Sequence, residues 1–143
     1  MGMLCREMKS LARELEATLG YAAGDRGRGI AYARLREARG EHLLRVSFRV
    51  RPQFVAREVA YAALIAVAQT LHRRGVVKAR FVLEDERLVA EVTEHGELSA
   101  AMVLPYVRLK CALNQFDAVS LAAAQTLDLT QRARAEIALN SVA

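Results

Sequence analysis

Arginines are the residues with the most ordered chemical spacing in this chain. Arg34 and Arg36 stand two apart on one expected strand, and Arg45 and Arg49 four apart on the next. Side chains at even spacing project from one face of a strand. A sheet face carrying four guanidiniums can track a phosphate backbone. The same face can equally be a solvated, charged surface that discourages edge-to-edge strand pairing. The acids are less ordered. Asp85 sits just past an expected strand, between Glu84 and Glu86, and on its own reads as a turn acid. Gly24, Gly27 and Gly29 suit tight backbone turns; as a phosphate cradle they lack a following Lys-Ser/Thr pair. His42, His72 and His95 are scattered and form no ligand or catalytic spacing. Cys5 and Cys111 make no C-x-x-C pair, and the apolar helical run around Cys111 is expected to bury it as a free thiol.

These groups must be positioned by a chain of 143 residues, 53% hydrophobic, with a formal charge of +5. That length supports one domain with a sizeable core, and the basic balance suits an acidic partner such as nucleic acid. No apolar run reaches the roughly 18 residues of a membrane span. Arg6, Glu7 and Lys9 interrupt any signal-peptide core. Nothing points to an oxidising compartment, so a soluble cytoplasmic protein is expected.

Leu11, Leu15 and Leu19 recur every four residues, so residues 1–19 read as helix by propensity. Ile30 to Arg36 and Leu43 to Val50 alternate apolar and polar residues around the turn at Ala38-Arg39-Gly40-Glu41, which predicts a hairpin. Residues 55–74 form an Ala- and Leu-rich helix, apolar on nearly all faces and therefore deeply buried; His72-Arg73-Arg74 followed by Gly75 is stop chemistry. A strand follows at Val76–Leu83, then a short helix over 87–93. A helix over 98–115 is expected to be interrupted near Pro105. A strand at 118–124 precedes a last helix from Thr130, its candidate N-cap, to Val142.

Four stretches together resemble the ribonuclease H-like family. Val59-Ala60-Tyr61-Ala62-Ala63-Leu64-Ile65-Ala66 is similar to the family's A-E-Y-x-A-L-I-A helix start, with Ala60 at the position of the catalytic Glu. Gly24-Asp25-Arg26-Gly27-Arg28-Gly29-Ile30 resembles G-P-A-G-A-G-V; taken without gaps, it places Glu16-Ala17-Thr18 on the D-G-A turn. Glu84-Asp85-Glu86-Arg87-Leu88-Val89 resembles G-D-S-x-L-V and puts Asp85 on the second Asp. The segment from Leu104 to Ala138 resembles the last helix–strand–helix, with Glu136 at the final Asp and Arg132 at the Asn of N-x-x-A-D-x-L-A. The family's H-V-P-R loop has no counterpart at Ala123-Ala124-Gln125-Thr126.

The resemblance implies an α/β fold, a five-stranded mixed sheet flanked by helices, in a single domain over residues 1–143, with 1–10 as an N-terminal extension. It also requires a central strand over 11–19, against the helical propensity; a sheet without its centre would leave backbone groups unpaired, so the strand is expected. For the site it implies no cofactor, or a single Mg²⁺ held by Glu16, Asp85 and Glu136. Two-metal phosphodiester hydrolysis needs several carboxylates converging on ions about 3.5–4 Å apart, in the strict octahedral geometry of Mg²⁺. Ala60 supplies no ligand, and Glu58 lies roughly 200° around the helix from it. The expected function is therefore a catalytically impaired ribonuclease H-like domain that binds nucleic acid, as an RNA–DNA hybrid, or a protein partner. The first alternative is a divergent, active Mg²⁺-dependent endonuclease that recruits Glu58 or Glu84. The second is a structural homodimer packed through Ala-rich surfaces.

Overall fold

The computed structural model describes residues 13–51, 54–94 and 97–142. Cys5 and the expected N-terminal extension lie outside the described residues, as does His95. The chain order is β1 (Arg13–Ala23), β2 (Arg28–Glu37), β3 (Gly40–Arg49), α1 (Ala56–Arg73), β4 (Val76–Leu83), α2 (Glu86–Glu94), a 3₁₀ turn (Ala100–Met102), α3 (Val103–Leu113), β5 (Ala118–Ala123) and α4 (Leu127–Val142). The strands form one sheet in the order β3-β2-β1-β4-β5. The first three are antiparallel, and β4 and β5 run parallel to β1. This is the mixed five-stranded architecture expected from the resemblance.

The leucine spacing at 15 and 19 fits a period of two as well as a helix, which is why propensity pointed the wrong way. Leu15, Ala17 and Leu19 alternate with Glu14, Glu16 and Thr18, and the former set is buried. Pairing on both sides then fixes the segment as the central strand: Thr18 lies opposite Arg34 of β2 and Val82 of β4. Tertiary pairing outweighs intrinsic preference in such a strand.

The two sheet faces carry different layers. Leu19, Ala33, Leu44 and Phe81 share one face with α1 in the main core. α1 is apolar all round because α3 covers its other side, where Leu109, Ala112 and Leu113 are buried. The helix ends at Arg73 with Arg74 as its cap, and Gly75 follows with a φ of 88°, in the left-handed region that glycine accepts. The opposite sheet face is covered by α4, whose Leu129 and Ala133 pack on Ile30 and Tyr32. Gly20 sets that approach: a Cβ there would stand 2.3 Å from the backbone nitrogen of Thr130.

Three local expectations are corrected. α4 begins a turn earlier than predicted: the Thr130 N–H donates to the Thr126 carbonyl at 3.0 Å, so Thr130 lies inside the helix and is not its N-cap. The Thr126 N–H is bonded instead by Glu84 at 2.8 Å, which anchors the helix entry to the end of β4. Pro105 does not interrupt α3, because it falls in the first turn, where a missing N–H has no helical partner to lose. Cys111 is exposed rather than buried, since α3 turns Val103, Val107 and Cys111 outward, at helical spacing, away from α1.

Candidate functional site

The C-terminal ends of β1 and β4 meet the start of α1 on the main-core face. Extending the pairing of Thr18 with Val82 sets Leu19 beside Leu83, two residues before Asp85. Leu19 and Ala60 are buried there in one apolar cluster, with Tyr21 packed against it. Burial pushes the Tyr21 phenol well above its ordinary range, and the charges of Asp85 and Glu84 reinforce the shift. Tyr61 is raised for a related set of reasons: burial first, then its bond to Glu91 and the charges of Glu91 and Asp85. Asp85 therefore acts on two phenols, Tyr21 and Tyr61, at this strand end.

That acid has a structural task. Asp85 Oδ1 accepts the Leu88 N–H at 2.8 Å, the side-chain cap of α2. The buried acid nearby is Glu91. It accepts from the Tyr61 hydroxyl and from Arg57 at 2.6 Å, and Arg87 lies 3.6 Å away. Burial pushes the Glu91 carboxyl up, but the hydrogen bonds from Arg57 and Tyr61, with the charges of Arg57 and Arg87, hold it below the usual range. The result is a buried clamp that ties α2 to the first turns of α1.

The other sheet face is basic, and three of its arginines are paired internally. Arg34 is bound by Asp128, and Arg36 lies 3.4 Å from Glu41. Arg45 donates through Nε to both Glu136 oxygens, at 2.9 and 2.8 Å, and through Nη2 to Oε2. Tyr32 donates to the same carboxylate. The Arg45 bond, opposed by burial and aided by Tyr32, holds the Glu136 carboxyl down at about 2. Arg132 stacks on the Tyr32 ring, 4.8 Å from its centroid, and adds its charge to the group.

Neither a family model nor a curated protein sequence matches the chain. Solved structures do. Ribonuclease H1 from the halophilic archaeon Halobacterium salinarum NRC-1 superposes with a TM-score of 0.72 at 18% identity, over 90% of this chain and 98% of that one. The N-terminal ribonuclease H domain of rv2228c from Mycobacterium tuberculosis gives 0.65 at 13% identity, over 90% and 99%. LC11-ribonuclease H1 in complex with an RNA/DNA hybrid gives 0.69 at 10% identity, over 91% and 100%. This chain has a ribonuclease H-like fold. At these identities the likeness concerns the fold alone.

Within the ribonuclease H-like fold, the three carboxylates taken from the resemblance do not converge. Glu16 projects from β1 to the α4 side of the sheet, opposite Ala17, and lies 3.5 Å from Arg80. Asp85 is at the far end of β4 capping α2, and Glu136 is on α4 with Arg45 and Tyr32. Among the described residues no three His, Cys, Asp or Glu side chains come together as a metal site. The β1 residues that face α1 toward Asp85 are Leu19 and Tyr21, whereas Glu16 lies on the α4 side. The two substitute acids are also committed, Glu58 to Arg51 at 3.0 Å and Glu84 to the Thr126 N–H. The donor set does not fit a two-Mg²⁺ centre.

The basic residues fare differently. Of Arg34, Arg36, Arg45 and Arg49, the first three are paired with carboxylates, which leaves Arg49 without an ion pair among the described residues. Sequence reasoning missed Arg28, which lies directly opposite Arg49 in the hairpin. The turn at Ala38-Arg39 already fixes that register, had the strand been begun two residues before Ile30.

Proposed function

We propose that this chain is a cytoplasmic ribonuclease H-like domain without hydrolytic activity that binds nucleic acid, as an RNA–DNA hybrid. One observation carries the reading. The strand end where carboxylates would have to converge holds Leu19, Ala60 and Tyr21, and its remaining acid, Asp85, caps a helix. The fold is shared with a ribonuclease H1 solved on an RNA/DNA hybrid, and the formal charge is +5. Binding can persist in such a domain because phosphate contacts need cations, not metal ligands. No helix of the described residues is long and apolar enough to cross a membrane.

Ala60→Glu tests the reading directly. A single lost ligand would be repaired by this change. On this reading hybrid cleavage does not recover in Mg²⁺ or Mn²⁺, because Ala60 is buried and one added carboxylate there does not assemble the several that two metals need. Cleavage by the variant would show that one substitution alone disabled an otherwise intact centre.

A second reading has its own observation. Val103, Leu104 and Val107 are 47%, 58% and 47% exposed along the outer side of α3. Such an apolar stripe suits a protein partner or a second copy. Light scattering at micromolar concentration separates these: a monomer excludes the homodimer, and a dimer dispersed by Val107→Lys supports it.

A further inference from the structure

We infer that the groove between the β2–β3 hairpin and the C-terminal half of α4 holds a phosphodiester of a bound nucleic-acid strand. The inference rests on the nucleic-acid reading above and names the site where the strand is held. The groove, about 260 Å³, is lined by Arg28, Ile30, Arg45, Ser47, Arg49 and Asn140, among others.

Two of its cations, which have no ion pair among the described residues, are the reason. Arg28 and Arg49 are Cα partners across the antiparallel pair, both exposed, and both project to the α4 side of the sheet. Like charges directly opposite one another oppose pairing. Elsewhere on this face the fold resolves the problem internally: Arg34 has Asp128, Arg36 has Glu41, and Arg45 has Glu136. Arg28 and Arg49 have no carboxylate among the described residues. An anion placed between them supplies the missing charge.

The lining chemistry selects which anion. Guanidiniums bind phosphate oxygens through paired N–H donors. Ser47 on the hairpin and Asn140 on α4 add neutral polar residues to the lining, and Ile30 and Ile137 add apolar ones that suit a sugar. The volume is below the roughly 300–1,000 Å³ of enclosed small-molecule sites. A groove of that size suits one unit of a backbone that continues on both sides. It also lies on the sheet face opposite α1, so a strand held here does not depend on Asp85 or on any metal.

The test combines two probes on wild type, on the Arg28→Ala/Arg49→Ala double variant, and on a charge-matched control, Arg73→Ala/Arg108→Ala. Arg73 and Arg108 are exposed on α1 and α3, across the sheet from the groove. Binding of a labelled RNA–DNA hybrid is measured by anisotropy from 50 to 200 mM salt. Each lost phosphate contact lowers the slope of log K against log salt by about 0.9. The double variant is therefore expected to bind at least about 10-fold more weakly at 50 mM salt, with a slope smaller by about 2; the control keeps the wild-type slope. Inorganic phosphate at constant ionic strength is expected to raise the Tm of wild type saturably and to leave the double variant unmoved. Hybrid binding with an equal slope in all three proteins, and no phosphate protection, would overturn the groove while leaving the nucleic-acid reading intact. Phosphate protection that needs Arg28 and Arg49, in a protein that binds no hybrid, would remove the nucleic-acid strand as occupant and leave a site for phosphate from another source.

Discussion

Asp85 shows how one residue can carry two readings that a substitution separates. As a helix cap it needs only a short side chain that accepts the Leu88 N–H. Asn caps as well as Asp, whereas Ala forfeits about 1 kcal/mol. Urea unfolding should thus find Asp85→Asn close to wild type and Asp85→Ala less stable by about that amount, with hybrid binding unaffected in both. Glu136 makes a prediction in pH. Its carboxyl is held at about 2 by the Arg45 bond, against burial and with help from Tyr32. A depressed carboxylate contributes stability that is fully present above its unfolded value near 4.5 and is lost as pH falls toward 2. Because Arg45 is about half exposed, screening keeps that contribution to about 1 kcal/mol. Glu136→Gln is expected to lose it at pH 7 and to converge on wild type in melts near pH 2. At this scale residue types were legible but partners were not: Glu16, Asp85 and Glu136 were visible, yet their attachments to Arg80, α2 and Arg45 depend on which sheet face each occupies.

At the scale of elements, the hairpin β2–β3, the apolar helix α1 and the strand β4 were legible, because alternation, helix stop chemistry and turn residues all agreed there. β1 was not legible from propensity. Its leucines satisfy two periods, and only pairing with β2 and β4 chooses between them. The start of α4 was missed for a similar reason: the anchor for Thr126 comes from Glu84, 42 residues away. The seat of α4 on β1 yields the clearest element-level test. A methyl group at Gly20 would meet Thr130 and Leu129 backbone atoms at 2.3 and 2.4 Å. Backbone cannot give way as a flexible side chain can, and overpacking of this kind costs about 1–3 kcal/mol or more. Gly20→Ala should lower the urea midpoint accordingly and loosen α4, read as faster amide exchange along Leu129 to Ile137. A variant as stable as wild type would mean that α4 is not held this close to β1.

For the whole molecule, the fold and the chemistry separate. The sheet order, the helix on each face and the core are those of a ribonuclease H-like domain, while the strand end that would gather metal ligands is filled by Leu19, Ala60 and Tyr21. The cations instead collect across the sheet, where Arg28 and Arg49 stand beside α4 with no ion pair among the described residues. The most direct test is a titration of the purified protein with Mg²⁺ and Mn²⁺, following binding and cleavage of a labelled RNA–DNA hybrid in the same samples. Binding that weakens steeply with salt, with the hybrid intact at every metal concentration, is the predicted result. Metal-dependent cleavage that disappears in Asp85→Asn would contradict it and show that Asp85 serves a working catalytic centre.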